Sequence, residues 1–278
     1  MITKQVEKIP DNYHCHCNFC KKYLGILKRN DGSLYNKGDR KKYYSNEEKH
    51  IAKTPLHGNR WCIQTYTSED DWVLDPTMGA GTTAVEALNH GRNVVGTELE
   101  INYYHAIKKN IEKNNPHSKK TLIYCGNALH LLQYLPQKYR DREFVKLVIN
   151  NPPYSGDFNQ TSFGEKGDSY EYHPQNLAFL KENPEYYDRI KKIYAQCSRI
   201  LMRGGYFCVG VKDMVRNKKP YPLHEYLGKI LTGLEFSYEG MVLLPHHPPT
   251  LFMNTYQKQY PEVEKIPRYQ TLLIFKKV

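Results

Sequence analysis

A chain of 278 residues holds one large domain, or one domain with a small appendage. Its 40% hydrophobic content can bury an ordinary core, while 25% charged residues and a mean hydropathy of -0.72 exclude a helical membrane protein. A formal net charge of +11 and a pI near 9.1 point to an acidic partner, because a basic surface releases the counterions condensed on a polyanion.

No apolar run approaches the ~20 residues that span a bilayer. The start, Met1-Ile2-Thr3-Lys4-Gln5, lacks the apolar stretch of a secretory signal. The expected address is the cytoplasm, with no membrane partner. Of the seven cysteines, Cys62, Cys125, Cys197 and Cys208 fall in segments that read as buried helix or strand. Reduced thiols are expected, not a disulfide framework.

Residues 1–52 are polar and Lys-rich, with clusters such as Lys28-Arg29-Asn30-Asp31-Gly32 and Arg40-Lys41-Lys42-Tyr43-Tyr44. They read as a basic N-terminal arm or small subdomain, and residues 53–278 as the catalytic domain. Within the arm, His14-Cys15-His16-Cys17-Asn18-Phe19-Cys20 packs five metal-ligating side chains into seven residues. Cys15, Cys17 and Cys20 are candidate zinc ligands, with His50 or His57 to complete a set. The second Cys pair of a strong zinc site is missing, so a reduced Cys/His-rich surface turn is the competing reading.

The character changes from Trp61 onward. Trp72-Val73-Leu74-Asp75 predicts a short buried strand, followed by a Gly-rich turn and a helix from about Thr82 to Asn89. Asn93-Val94-Val95-Gly96 predicts a second strand ending at Glu98, with an amphipathic helix over Tyr103–Lys113. A third strand covers Leu122–Tyr124, with a short helix near Ala128–Leu135, and Val145–Ile149 is a fourth strand. A long polar loop, Ser155–His173, leads to helical periodicity through Leu180, Tyr187, Ile190, Ile193 and Ile200. Gly204-Gly205 breaks the chain before a strand over Tyr206–Val211. A helix near Leu223–Thr232 and strands at Met241–Leu244 and Thr271–Phe275 complete the pattern. Strands alternating with helices predict βαβ crossovers and a mostly parallel sheet covered on both faces.

Two motifs carry chemistry. The first is Asp75-Pro76-Thr77-Met78-Gly79-Ala80-Gly81-Thr82-Thr83, at the carboxyl end of a strand, where open α/β sheets bind ligands. Gly79 and Gly81 let the backbone turn sharply and approach a ligand, and Thr82 and Thr83 are candidate caps for the helix that follows. Glu98, roughly 20 residues on, is placed to accept hydrogen bonds from ribose hydroxyls. A dinucleotide loop would read G-x-G-x-x-G. Here the third Gly is absent, and an Asp precedes the others. That carboxylate repels a pyrophosphate but suits a ligand bearing an amine and a sulfonium, so S-adenosylmethionine (SAM) is expected in place of NAD. A ligand-free strand-to-helix turn is the alternative.

The second motif is Asn151-Pro152-Pro153-Tyr154, directly after the fourth strand. Methylating an amino group conjugated to a base ring requires density on the nitrogen lone pair. Two acceptors aimed at the N–H bonds supply it: the Asn151 side-chain oxygen and the Pro152 carbonyl. Successive prolines remove two donors and fix φ, leaving a rigid corner of acceptors. Tyr154 would stack on a base swung out of the duplex. A Pro-Pro strand stop with an ordinary Tyr is the structural alternative.

On these residues the chain resembles the SAM-dependent N4-cytosine/N6-adenine DNA amino-methyltransferases, over roughly residues 54–278. Asp75 to Thr83 match the family's SAM loop, and Asn151 to Tyr154 its catalytic tetrapeptide. Val95-Gly96-Thr97-Glu98 resembles the second-strand acid. Leu201-Met202-Arg203-Gly204-Gly205-Tyr206 resembles the segment before the fifth strand, and Arg268-Tyr269 through Lys277 the closing strand. Leu56-His57-Gly58-Asn59 sits where the family often carries a His segment over the cofactor. The resemblance implies a Rossmann-like class I methyltransferase fold, its sheet mostly parallel with an antiparallel C-terminal edge and helices on both faces.

The SAM loop precedes the tetrapeptide, an order that many relatives with this loop style reverse, as in a circular permutation. Asn127 stands where an Asp commonly bonds the SAM adenine amine, and it keeps an acceptor. Asn before Pro-Pro resembles the adenine-specific members, so adenine N6 is favoured over cytosine N4. Carbon-5 methylation is disfavoured, since it needs a Cys nucleophile, usually after a Pro, and the chain has no Pro-Cys dipeptide.

Double-stranded DNA is therefore the expected partner, with a cognate restriction nuclease as a second. Arg216, Lys218 and Lys219 are candidate phosphate contacts, which fix register but read no sequence. Guanine N2 in RNA and a protein glutamine are rival substrates for the same tetrapeptide, and a non-catalytic nucleic-acid-binding protein is the rival from another class.

Overall fold

The computed structural model describes residues 17–27, 56–153, 175–177, 180, 184–216, 219–245 and 269–278. In chain order its main elements are β1 (Tyr23–Ile26), α1 (Leu56–Tyr66), β2 (Trp72–Asp75), α2 (Thr82–Asn89), β3 (Asn93–Glu98), α3 (Ile101–Lys113), β4 (Thr121–Cys125), α4 (Leu131–Tyr134), α5 (Gln137–Arg140), β5 (Val145–Asn150), α6 (Pro184–Ile200), β6 (Leu201–Val211), β7 (Met214–Arg216), β8 (Lys219–Tyr221), α7 (Leu223–Thr232), β9 (Phe236–Pro245) and β10 (Tyr269–Lys277).

Among the described residues, eight strands form one sheet in the order β1-β9-β10-β6-β5-β2-β3-β4, and β7 pairs with β8 as a separate hairpin. The central strands read as continuous apolar runs because both faces are covered. All six residues of β3 are buried. Successive residues enter opposite cores, as the two-residue strand period requires. Leu74, Val95 and Val148 join Tyr186, Ile190 and Leu227 of α6 and α7 on one face. Val73, Val94 and Leu147 join Cys62, Ala84, Leu88 and Ile107 of α1, α2 and α3 on the other. Pro184 opens α6, a position where its missing N–H costs no hydrogen bond.

Among the described strands of the main sheet, β10 alone runs against the rest, antiparallel to both β6 and β9. It lies inside the sheet and not at its rim. Gln270 through Phe275 are all buried, which an edge strand could not achieve. The rim beyond β9 is taken by β1, which pairs with it in parallel. Strand β1 comes from the segment that the sequence assigns to the arm.

The Gly204-Gly205 pair does not break the chain ahead of the strand as expected. Strand β6 begins at Leu201 and passes through Gly204 at φ 68, and its register against β5 shifts between Leu201 and Tyr206. Cys62, Cys197 and Cys208 are buried as expected, but Cys125 is exposed, because β4 is the outermost strand on its side. Among the described residues, no helix is long and apolar enough to cross a membrane.

Candidate active site

Strand β2 delivers Asp75 to the carboxyl edge of the sheet, where the chain turns through residues 76–81 into α2. Gly79 (φ 50) and Gly81 (φ 78) hold left-handed conformations that strain any other residue. A Cβ on Gly81 would also lie 3.0 Å from Ile107. The turn is fastened to two acids. Asp75 Oδ1 accepts the Thr77 backbone N–H at 3.1 Å, and Oδ2 accepts the Thr83 hydroxyl at 2.6 Å. Asn59 of α1 donates to that hydroxyl at 3.0 Å. Glu98, ending β3, accepts the Gly79 N–H at 2.6 Å and the Glu100 N–H at 2.9 Å. The backbone N–H of Met78 donates to the Thr97 carbonyl, and the Thr97 hydroxyl donates to that of Pro76.

Thr82 and Thr83 do not cap the helix. The capping position belongs to Gly81 without a side-chain bond, and the Thr83 hydroxyl turns to Asp75 instead. Burial pushes both carboxyls up to about 7, against the lowering effect of the N–H and O–H groups they accept. Two buried carboxyls whose ionisation is disfavoured by burial form, under a glycine turn, a site that gains from a cationic, donor-rich ligand.

Strand β5 lies beside β2 and brings the second motif to the same edge. The link is Asn150, fully buried, whose Nδ2 donates to the Thr77 hydroxyl at 2.8 Å. Its Oδ1 accepts the Tyr194 hydroxyl at 3.0 Å. Burial holds that phenol far above its ordinary range, so it remains a neutral donor. Tyr186, two helical turns earlier on the same buried stripe of α6, donates to the Pro153 carbonyl at 2.9 Å. Asn151 Oδ1 accepts from Gln270 Nε2 of β10 at 2.7 Å. A carbonyl oxygen has two lone pairs, so this bond orients the amide and leaves acceptor capacity. The backbone of Gly210 lies against the same amide. A Cβ there would stand 2.1 Å from Asn151 Oδ1 and 2.6 Å from Gln270 Nε2.

The structure thus brings Asp75, Pro76, Thr77, Met78, Gly79, Gly81, Thr83, Glu98, Asn151, Pro152 and Pro153 to one edge of the sheet, with Thr82 beginning α2 behind them. Tyr154 lies outside the described residues. His57 is buried in the first turn of α1, two residues before Asn59. Asn127 caps a short 3-10 turn through Leu129 N–H at 2.9 Å and donates to Gln175 at 3.1 Å. Arg216 and Lys219 pair across the β7–β8 hairpin, away from the two motifs in the chain, and Lys218 lies outside the described residues. Sequence reading missed Asn150, Tyr186, Tyr194, Gly210 and Gln270, and it named Asn59 only as part of the His57 segment. Only Gln270 carried a signal, as a polar residue opening an otherwise apolar strand.

The sheet order, with an inserted antiparallel last strand and a glycine turn after β2, is that of the class I SAM-dependent methyltransferases. The TrmN structure from Thermus thermophilus superposes with a TM-score of 0.51 at 13% identity, covering 82% of this chain and 50% of that one. Such a likeness establishes the fold.

Residues 16–109 match the family model for N6/N4 methyltransferases, described as DNA methylase. The chain is 46% identical over 63 residues to the Type II methyltransferase M.BglI of Bacillus subtilis, 23% of this chain and 18% of that protein. It is 29% identical over 140 residues to MJ1649 of Methanocaldococcus jannaschii, provisionally named a ribosomal RNA large subunit methyltransferase, 50% of this chain and 33% of that protein. The matched stretches span a third or less of these relatives' lengths. Over the stretches they match, they bear out the resemblance read from the sequence to the N4-cytosine/N6-adenine DNA amino-methyltransferases.

Proposed function

We propose that this protein transfers a methyl group from SAM to an exocyclic amino group of a base in double-stranded DNA, with adenine N6 favoured over cytosine N4. The observation that carries the reading is the 2.8 Å bond from Asn150 to Thr77, which ties the Asn-Pro-Pro corner to the glycine turn. A methyl donor and its acceptor need such adjacency.

The donor set fits SAM. Asp75 and Glu98 offer buried carboxylates to a cationic ligand with two ribose hydroxyls, and the turn between them is tied to both through the Thr77 and Gly79 N–H groups. His57 and Asn127 are assigned to the cofactor's outer contacts. When bound, SAM supplies an electrophilic methyl on a positively charged sulfur. The chain's own residues prepare the amine. Asn151 Oδ1 and the Pro152 carbonyl accept its two N–H bonds, so the nitrogen lone pair points toward the cofactor. Gln270 holds Asn151 Oδ1, Tyr186 and Tyr194 hold the flanking Pro153 and Asn150, and Tyr154 stacks on the flipped base. The corner offers acceptors and no nucleophile, so transfer is direct, without a covalent enzyme intermediate. Positioning of two bound reactants supplies much of the rate. Arg216, Lys218 and Lys219 contact phosphates. A cognate restriction nuclease and a cytoplasmic location accompany this reading.

Labelled-methyl transfer to duplex DNA, ribosomal RNA and protein tests it, followed by identification of the methylated base. Asn151→Ala should abolish transfer to DNA while calorimetry still records SAM binding. Transfer to RNA in place of DNA would favour the reading suggested by MJ1649. An active Asn151→Ala enzyme removes the proposed mechanism.

A further inference from the structure

Two side chains of the N-terminal segment meet one from the far part of the chain. Cys20 N–H donates to the Cys17 carbonyl at 3.1 Å, a tight turn that brings the two sulfurs together. Their Sγ atoms lie 3.5 Å apart, and each is 3.3 Å from Nε2 of His224. His224 is fully buried in the first turn of α7. Asp213 sets its ring, with carboxylate oxygens 2.7 and 2.6 Å from Nδ1 and a further bond from the His224 backbone N–H at 3.2 Å. A carboxylate on Nδ1 keeps the proton on that nitrogen, so Nε2 turns its lone pair to the sulfurs.

The triangle has the dimensions of a metal site. Tetrahedral zinc, with bonds of about 2.3 Å to sulfur and about 2.0–2.1 Å to nitrogen, spaces its ligands about 3.8 Å (S–S) and about 3.5 Å (S–N) apart. The observed edges agree to within about 0.3 Å. Two thiols and an imidazole backed by a carboxylate are the ligand chemistry of a soft or borderline divalent ion. Among the described residues, this is the one group of His, Cys and acid side chains close enough to share an ion.

The sequence reading pointed to Cys15, Cys17 and Cys20, with His50 or His57 to complete a set. Cys15 and His50 lie outside the described residues. His57 sits on α1, and His224, 204 residues beyond Cys20, stands in the cluster instead.

We infer that Cys17, Cys20 and His224 bind one zinc ion, with Asp213 as the positioning residue behind His224. The ion staples the N-terminal segment to α7. Binding replaces the two thiol protons by two zinc–sulfur bonds and adds a bond to the unprotonated Nε2. Water or one more protein donor completes the tetrahedron.

The segment is seated around the site. Phe19 meets Tyr238 edge-to-face at 5.1 Å, and its carbonyl accepts the Tyr238 hydroxyl at 2.6 Å. A Cβ on Gly228 of α7 would come within 2.7 Å of the Phe19 ring. The next residues form β1, which covers the edge of β9. The ion therefore secures the strand that closes one rim of the sheet, a rim whose bare N–H and C=O groups would otherwise invite pairing with another chain.

The full chain, purified without chelator, should carry about one zinc ion by elemental analysis. Cobalt(II) exchanged into it should show the thiolate charge-transfer band and strong visible absorption of a tetrahedral ion. Cys20→Ser and His224→Ala should weaken zinc about tenfold or more in competition with a chromogenic chelator, Asp213→Asn by about 10–100-fold, and His224→Cys should restore binding. SAM affinity of the folded variants should stay within a few-fold of wild type, which separates this site from the proposed methyl transfer. The cobalt spectrum is read on the wild-type chain and holds even where a variant fails to fold. A wild-type chain that retains less than about a tenth of an equivalent after zinc loading and desalting overturns the site. So does an octahedral cobalt spectrum, or variants that bind zinc as tightly as wild type.

Discussion

Replacing Gly210 by alanine should disable methyl transfer while leaving the fold and SAM binding in place. The new methyl would stand 2.1 Å from Asn151 Oδ1 and 3.1 Å from its Cγ. Real Cβ atoms essentially never approach closer than 3.0 Å, so the amide must retreat by close to 1 Å. The 2.7 Å bond from Gln270 is displaced as well, since the same methyl lies 2.6 Å from Nε2. A displacement of about 1 Å at a catalytic acceptor costs on the order of 10²-fold in rate, about 2.7 kcal/mol in the barrier. The lost hydrogen bond costs about 1 kcal/mol of stability. The assay is single-turnover transfer to duplex DNA beside calorimetric SAM binding and thermal unfolding. Gly233→Ala is the control, because its Cβ would meet nothing closer than 3.5 Å at an ordinary helical φ of -76. A folded Gly210→Ala enzyme that transfers methyl within about threefold of wild type would refute the placement of Asn151 in the reaction.

Asp75 and Glu98, raised to about 7 by burial, make SAM affinity pH-dependent. A cationic ligand prefers the ionised acids, so binding should tighten as pH rises through about 7, with protons released. Calorimetry in buffers of different ionisation enthalpy checks this, and no proton release at neutral pH would contradict it. The same shifts govern the ligand-free chain with the opposite sign. Between the unfolded carboxyl range near 4 and about 7, the native state holds protons that the unfolded state has lost. Stability should therefore fall with rising pH across that window, by on the order of 3 kcal/mol per carboxyl, and level off above it. Urea unfolding at several pH values reads the slope. Asp75→Asn should lessen the slope, leaving the share of Glu98, and weaken SAM binding together. Tyr194→Phe strips the 3.0 Å donor from a buried amide oxygen, and denaturant unfolding should show a loss of about 1–3 kcal/mol. An unchanged unfolding midpoint would mean that α6 does not brace the corner.

Much of this molecule is legible in one dimension. The strands at Trp72, Asn93, Thr121 and Val145 announce themselves as apolar runs. The helices at Thr82, Ile101 and Leu223 do so by an apolar stripe, and the two motifs by residue types that suit local chemistry: positive φ, a fixed φ, an acid at a strand end. These signals work because each depends on neighbours a few positions away. The position of β10 within the sheet, the pairing of β1 with β9, the bulge at Gly204, the packing of Gly210 and Gln270 on Asn151, and the approach of His224 to Cys17 and Cys20 do not. Each is a contact between segments scores of residues apart, and local periodicity carries no record of which distant backbone will lie alongside. The α/β class, the glycine turn, the proline corner and their order along the chain can be read from residue order alone. How that corner is braced and what the N-terminal cysteines face emerge only on folding, because side-chain partners across a sheet are chosen by burial of the whole, not by spacing in the parts.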